Sequence, residues 1–277
     1  MMQSDFWNGQ GTLRARPAID DVRTRVLLAG IKYVESTGLT LSISDAVIAR
    51  LLADANVTPK QFGQVWQSGE EFLTDLFCEL ANQAQIDRAD TMTLLTTWQY
   101  VTSRVDDLRT PEGRRDVLVD IIRTATEYNF SVVTASSKWR TYAALSTTIV
   151  AWPEGAARTR ILDALRASEL SFVETLENFY RNLLPTIGLR LKPGLNDDYQ
   201  PFVVAAASVI EGLGIVRATV PTLVEARFEM PTFDRTDTWS VAAMSYMGVF
   251  DAFFEADPDF DPDEAIARLK SGIDVTP

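Results

Sequence analysis

The side chains with the strongest claim to chemistry sit in one short stretch, Thr58-Pro59-Lys60-Gln61-Phe62-Gly63-Gln64. It offers a hydroxyl, an ammonium and two carboxamides. These are hydrogen-bonding groups suited to recognition rather than to breaking bonds. The groups most often used for bond-breaking are scarce elsewhere. The chain of 277 residues has no histidine, and Cys78 is its one cysteine. Ser-His-Asp, Cys-His and histidine-containing zinc arrangements are therefore excluded. The acidic pairs Glu70-Glu71 and Asp197-Asp198 stand where helix starts are expected, and capping accounts for them. Gly212-Leu213-Gly214 follows no strand and reads as close packing in an apolar helix. Asp257, Asp259, Asp261 and Asp263 alternate in the manner of a calcium loop. They lack its central glycine and its terminal glutamate spacing, and Asp261-Pro262-Asp263-Glu264 reads instead as a helix start. No catalytic residue, metal or cofactor is expected.

The elements that must hold the stretch in place announce themselves by their caps. Thr58 is a good N-cap, Pro59 suits the first helical position, and Gln61 completes a capping box. The same grammar recurs at Ser68 and Glu71, so the first helix has room only from Pro59 to about Val65. Its residues Lys60, Gln61 and Gln64 are polar, and Phe62 and Trp66 are left to anchor it. Upstream, Leu27, Gly30, Ile31 and Val34 form one apolar face of a helix over Ile19–Ser36, stopped by Gly38. Ser44 caps a second helix, and Ala55-Asn56-Val57 turns the chain, with Asn56 suited to a left-handed position. A short helix displayed behind so tight a turn has the geometry of a helix-turn-helix that reads DNA.

Charge runs the other way. The net charge is −12, and residues 1–85 carry seven basic against ten acidic side chains. Phosphate contacts supply most non-specific DNA affinity, so this balance does not favour it. Before Pro17, Arg14 and Arg16 are the basic residues of an arm that could follow a groove or a phosphate ridge. An N-terminus without a basic block and an apolar block is not a signal peptide. The most apolar run, Pro201–Val216, is interrupted by Glu211, so no membrane span is expected. A single cysteine fits a cytoplasmic protein.

Order and spacing over residues 20–82 resemble the DNA-binding domain of TetR-family transcriptional regulators. Val26-Leu27, Ala29-Gly30, Val34 and Gly38 resemble that family's first helix. Ala55-Asn56-Val57-Thr58 stands at its Ala-Gly-Val-Ser turn, and Phe62, Trp66, Ser68, Glu70 and Leu73 stand at its hydrophobic, cap and acidic positions. Gly63 and Gly69 depart from it: the family usually has Tyr and Lys there, both near phosphate. The segment between Gly38 and the turn is also about four residues longer, one extra helical turn. The resemblance implies an all-α chain. Residues 1–85 would form the DNA-binding domain, and residues 86–277 a larger helical domain for effector binding and dimerisation.

Past Ile86 the pattern is helical, with segments over Asp90–Val105, Pro111–Asn129, Ser131–Trp152 and Glu154–Leu184 and no strand pattern. Two later helices, about 197–217 and 238–254, are apolar nearly all round and so must be covered on every side. The resemblance implies that they pair with the same two helices of a second subunit; both lying inside one large monomer core is the other reading. Aromatic residues of the middle segments could line a small-molecule pocket, although most must be core. The candidates are Trp98, Phe130, Trp139, Tyr142, Phe172 and Phe179, with Arg123, Glu127 and Lys138 as polar neighbours.

The expected function is a homodimeric regulator of the repressor type that binds a double-stranded operator and answers to a small-molecule effector. Its expected DNA contacts are Arg14, Arg16, Thr58, Lys60, Gln61 and Gln64, with Lys60 and Gln64 reaching bases. The alternative is a chain of the same ancestry that binds a small molecule or a protein and no longer reads DNA.

Overall fold

Capping chemistry sets the first boundaries in the computed structural model, which describes residues 19–87, 91–232 and 235–270. Helix α1 (Ile19–Thr37) buries Val22, Val26, Leu27, Ile31 and Val34 and ends at Gly38, whose φ is +88°. Ser44 caps α2 (Asp45–Asp54), its hydroxyl accepting the Val47 N–H at 3.4 Å. Asn56 takes the left-handed conformation, at φ 52°. Helix α3 covers only Pro59–Phe62, and α4 runs over Gly69–Asp87. The spacing predicted α3 to reach Val65. Instead Gly63 is its C-cap, and residues 63–65 form turns.

Contacts divide the chain into two compact units, residues 1–76 and 77–277, with the division inside α4. In the first unit Trp66 is 1 % exposed, with ring centroids 5.0 Å from Phe62 and 5.1 Å from Phe72. Its indole N–H donates to the buried Asp75 at 2.9 Å. The same carboxylate oxygen accepts Arg23 Nε at 3.2 Å and Nη2 at 3.1 Å. One carboxylate of α4 thus ties α1 to the segment that follows α3.

The second unit is mostly helical. Its helices are α5 (Thr91–Ser103), α6 (Pro111–Ala135), α7 (Ser137–Val150), α8 (Ala156–Thr186), α9 (Gln200–Arg217), α10 (Pro221–Val224), α11 (Val241–Phe253) and α12 (Pro262–Lys270). A 3₁₀ turn spans Val105–Arg109. Helices α6, α9 and α11 pack together, with α8 against α9 and α5 against α6. Phe202, fully buried on α9, has Tyr180, Tyr246, Phe250, Phe253 and Phe254 around it at centroid distances of 4.7–6.1 Å.

Three further sequence expectations need correction. The break between α6 and α7 falls at Ser136, whose hydroxyl caps Trp139 N–H, and not near Phe130. The helix expected from 197 starts at Gln200, because Asn196 and Asp197 hold left-handed φ values of 51° and 60°. The third correction is the strands. β1 (Leu189–Leu191) pairs antiparallel with β4 (Phe254–Ala256), and β2 (Arg227–Thr232) with β3 (Arg235–Ser240). Residues 238–240, expected in the last long helix, complete β3, and Ser240 caps α11. The alternation Arg227-Phe228-Glu229-Met230 is the strand signal that the apolar run beginning at Trp239 concealed.

The β2–β3 hairpin is fastened to α6 by charge. Asp120 accepts Tyr100 Oη at 2.8 Å and Arg235 Nη2 at 2.6 Å, and Arg123 Nη2 at 3.3 Å. Arg235 Nε also donates to Asp237 at 2.7 Å, and Arg227 pairs with Glu127. Arg123 and Glu127, considered above as pocket neighbours, therefore serve this clamp. Among the described helices α9 alone has the length and apolar composition of a membrane span.

Burial alone would raise the pKa of Asp120, but the Tyr100 hydrogen bond and the Arg235 and Arg123 guanidinium groups outweigh it and hold the carboxyl below its ordinary value. A depressed folded-state pKa gives stability that is present above the unfolded value, about 4 for Asp. That stability is lost as pH falls through the folded value. Hydrogen exchange of the β2 and β3 amides is expected to accelerate relative to those of α6 as pH falls below about 4. Asp120→Asn should show the weaker protection already at neutral pH. Unchanged relative protection in both proteins would remove the clamp.

Candidate functional sites

Two features stand out, one in each unit. In the first, Thr58 Oγ1 accepts the Gln61 N–H at 3.3 Å, while Gln61 Oε1 accepts both the Thr58 N–H and its hydroxyl at 2.9 Å. The capping box is closed, and it engages the polar groups of Thr58 and Gln61 with each other. Lys60 and Gln64 are exposed, as are Thr58 and Pro59, so α3 is uncovered on its polar side. Gln61 is half-buried. Arg14 and Arg16 lie outside the described residues. The next helix start repeats the pattern with one change. Ser68 Oγ accepts Glu71 N–H at 3.1 Å, but Glu71 reaches back to the Gln67 N–H, at 2.7 Å, rather than to Ser68.

The two glycines that depart from the TetR pattern have different physical origins. Gly63 has φ −64°, and a Cβ there would meet Pro59 O at 3.5 Å, ordinary contact. Nothing in the fold requires glycine at that position. At Gly69 a Cβ would lie 3.0 Å from Ile48 Cδ1 and 3.4 Å from Ile43 Cγ2. Here α4 begins so close to Ile43 and α2 that a side chain must displace an isoleucine.

In the second unit a cavity of about 120 Å³ lies among α5, α6, α7, α8, α9 and α11. Of the six candidate aromatics, Trp139, Phe172 and Phe179 line it. Trp98, Phe130 and Tyr142 do not line it. Trp98 stacks edge-on against Phe179 at 6.4 Å, Phe130 packs with Val133 and Ile210, and Tyr142 donates to Glu169 at 2.6 Å. The wall is aliphatic and aromatic, with Thr93, Thr97, Thr126, Asn129 and Glu211 among its polar residues. Gly214 lets α9 lie against Trp139, since a Cβ there would fall 2.5 Å from the ring. The Trp139 indole N–H is buried without a hydrogen-bond partner among the described residues.

The pairing of two tyrosines on this wall left no mark in the sequence pattern. Tyr180 and Tyr246 both line the cavity, and their hydroxyls lie 2.7 Å apart. Burial raises the pKa of both, Tyr246 the more, so both stay neutral across the physiological range. Tyr246 falls in the late apolar helix, where no residue looked different from core. Among the described residues no group of three or more His, Cys, Asp or Glu could hold a metal ion.

Comparison with protein-family models, curated proteins and solved structures finds no match to this chain.

The contrast between the two glycines is measurable. Gly63→Ala should stabilise the chain by about 0.4–1 kcal/mol, by reducing the freedom of the unfolded state. Gly69→Ala should gain less or lose stability, because Ile48 must move. Urea midpoints of the two variants check the order, and equal shifts would remove the packing explanation for Gly69.

Proposed function

We propose that this chain is a TetR-like, DNA-binding transcriptional regulator that acts as a homodimer and responds to a small molecule. The observation that carries the reading is the outward display of α3. Its polar side is uncovered, its backbone is locked by the Thr58–Gln61 capping box, and buried Trp66 supports the turn that follows. Rigid presentation of a few donors is what insertion into a major groove requires. Lys60 and Gln64 are the base-reading candidates. Thr58 and the arm residues Arg14 and Arg16 would hold phosphate, and Gln61 serves mainly to lock the helix.

Dimerisation is supported by what α9 and α11 leave uncovered. Pro201, Val204, Ser208, Gly212 and Ile215 form an exposed stripe at three- and four-residue steps along α9. Met244, Gly248 and Ala252 do the same on α11, which packs beside it. Small and apolar residues at this spacing suit close helix-on-helix packing with a second copy. Occupancy of the cavity would then be coupled to DNA affinity through a difference in ligand affinity between two arrangements of the dimer.

The acidic balance favours a second reading, in which the chain binds its small molecule but has lost specific DNA binding. Fluorescence anisotropy against DNA flanking its own gene separates the two. The regulator should bind selectively, with affinity that falls steeply as salt rises. Lys60→Ala should weaken selective binding by about 1–3 kcal/mol with little change in melting temperature. Binding no better than to random DNA at low salt would leave the second reading. Val204→Glu should shift the sedimenting species from dimer to monomer; an unchanged species would place the interface elsewhere.

A further inference from the structure

The chemistry of the cavity wall defines what it can hold. Its aromatic and aliphatic lining includes Phe172, Phe179 and Phe250. No lysine or arginine contributes, and Glu211 is the charged residue on the wall. An ion of either sign would lose its hydration in an apolar site: an anion finds no counter-charge, and a cation finds one carboxylate, Glu211, that already has an interaction of its own. The volume of about 120 Å³ is close to the roughly 150 Å³ apolar cavity that admits benzene. One six-membered ring, or an aliphatic group of the same bulk, is the scale that fits.

The tyrosine pair supplies direction. Two phenolic hydroxyls carry two hydrogens, and the contact between Tyr180 and Tyr246 uses one of them. The other has no acceptor among the described residues. Both tyrosines line a mostly apolar cavity, where a ligand oxygen placed beside the pair would give that hydrogen an acceptor. We infer that the cavity binds a small, uncharged, largely apolar molecule that presents one hydrogen-bond acceptor to the Tyr180–Tyr246 hydroxyl pair. This rests on the reading of the second unit as a ligand-binding domain and gives that ligand its chemical class.

Calorimetric titration of the full chain, without DNA, tests the inference with three probes of similar bulk and one cationic counterpart: phenol, toluene, benzoate and benzylammonium. Phenol should bind saturably at one site per chain. Toluene should bind at the same site, weaker on the order of fivefold, the worth of one neutral hydrogen bond. Benzoate and benzylammonium should not bind. The double variant Tyr180→Phe, Tyr246→Phe keeps both rings and removes both hydroxyls, a change expected to be close to neutral for folding. It should bind phenol and toluene equally. Ala207→Leu should fill the space and abolish binding of both. The inference is overturned if neither neutral probe binds, if either charged probe binds better than phenol, or if phenol keeps its advantage in the double variant. Because no DNA is present, saturable phenol binding by a chain that ignores its own flanking DNA would sink the regulator reading alone.

Discussion

A single buried carboxylate holds the first unit in the form that its proposed role needs. Asp75 receives the indole of Trp66 and the guanidinium of Arg23 on the same oxygen. Four residues is too little helix for α3 to bury its own weight. Its orientation is inherited from the Trp66 anchor behind it and from the tight turn in front, where Asn56 takes a left-handed backbone. An ion pair whose arginine is nearly half exposed contributes little by itself. Here its value lies in keeping a large indole from leaving water without a hydrogen-bond partner. The outward polarity of Lys60 and Gln64 is meaningful only while that anchor holds.

The second unit solves a different problem. Its helices carry so many aromatic residues that edge-to-face contacts define the core, with Phe202 at their centre. Rings packed in this way are rigid and leave gaps that small aliphatic residues would close. The cavity sits against the same cluster, sharing Tyr180, Tyr246 and Phe250 with it. Its shape follows from how bulky side chains meet, and one of its polar landmarks follows from two of those rings ending in hydroxyls.

Local chemistry was legible in the sequence, and three-dimensional convergence was not. Caps at Ser44, Thr58 and Ser68 could be read because a cap is a property of four consecutive residues. Asp261 was legible for the same reason; its carboxylate accepts the Asp263 N–H at 2.9 Å and opens α12. The hairpin was lost because Trp239 and the apolar residues after it blur where period two gives way to helical period. Which aromatics meet the cavity was not legible. Trp139, Phe172 and Phe179 reach the cavity, while Trp98, Phe130 and Tyr142 occur at similar spacings and face elsewhere. Periodicity says that a residue is covered, and it does not say by what. The tyrosine pair joins residues 66 positions apart and left no trace in local pattern.

The short strands carry a consequence for how the chain must assemble. β4 closes against β1 across 65 residues, with Arg190 and Glu255 paired along it. Beyond it α12 docks on the 3₁₀ turn at Val105–Arg109, where Arg109 meets Asp263 at a separation of 154 residues. Contacts of such range form late, because a long loop must be closed before any of them is rewarded. On the ribosome, helices α5 to α9 would emerge with their seam still open and their aromatic interior wet. A seam of this kind leaves apolar surface wet until distant parts of the chain have met.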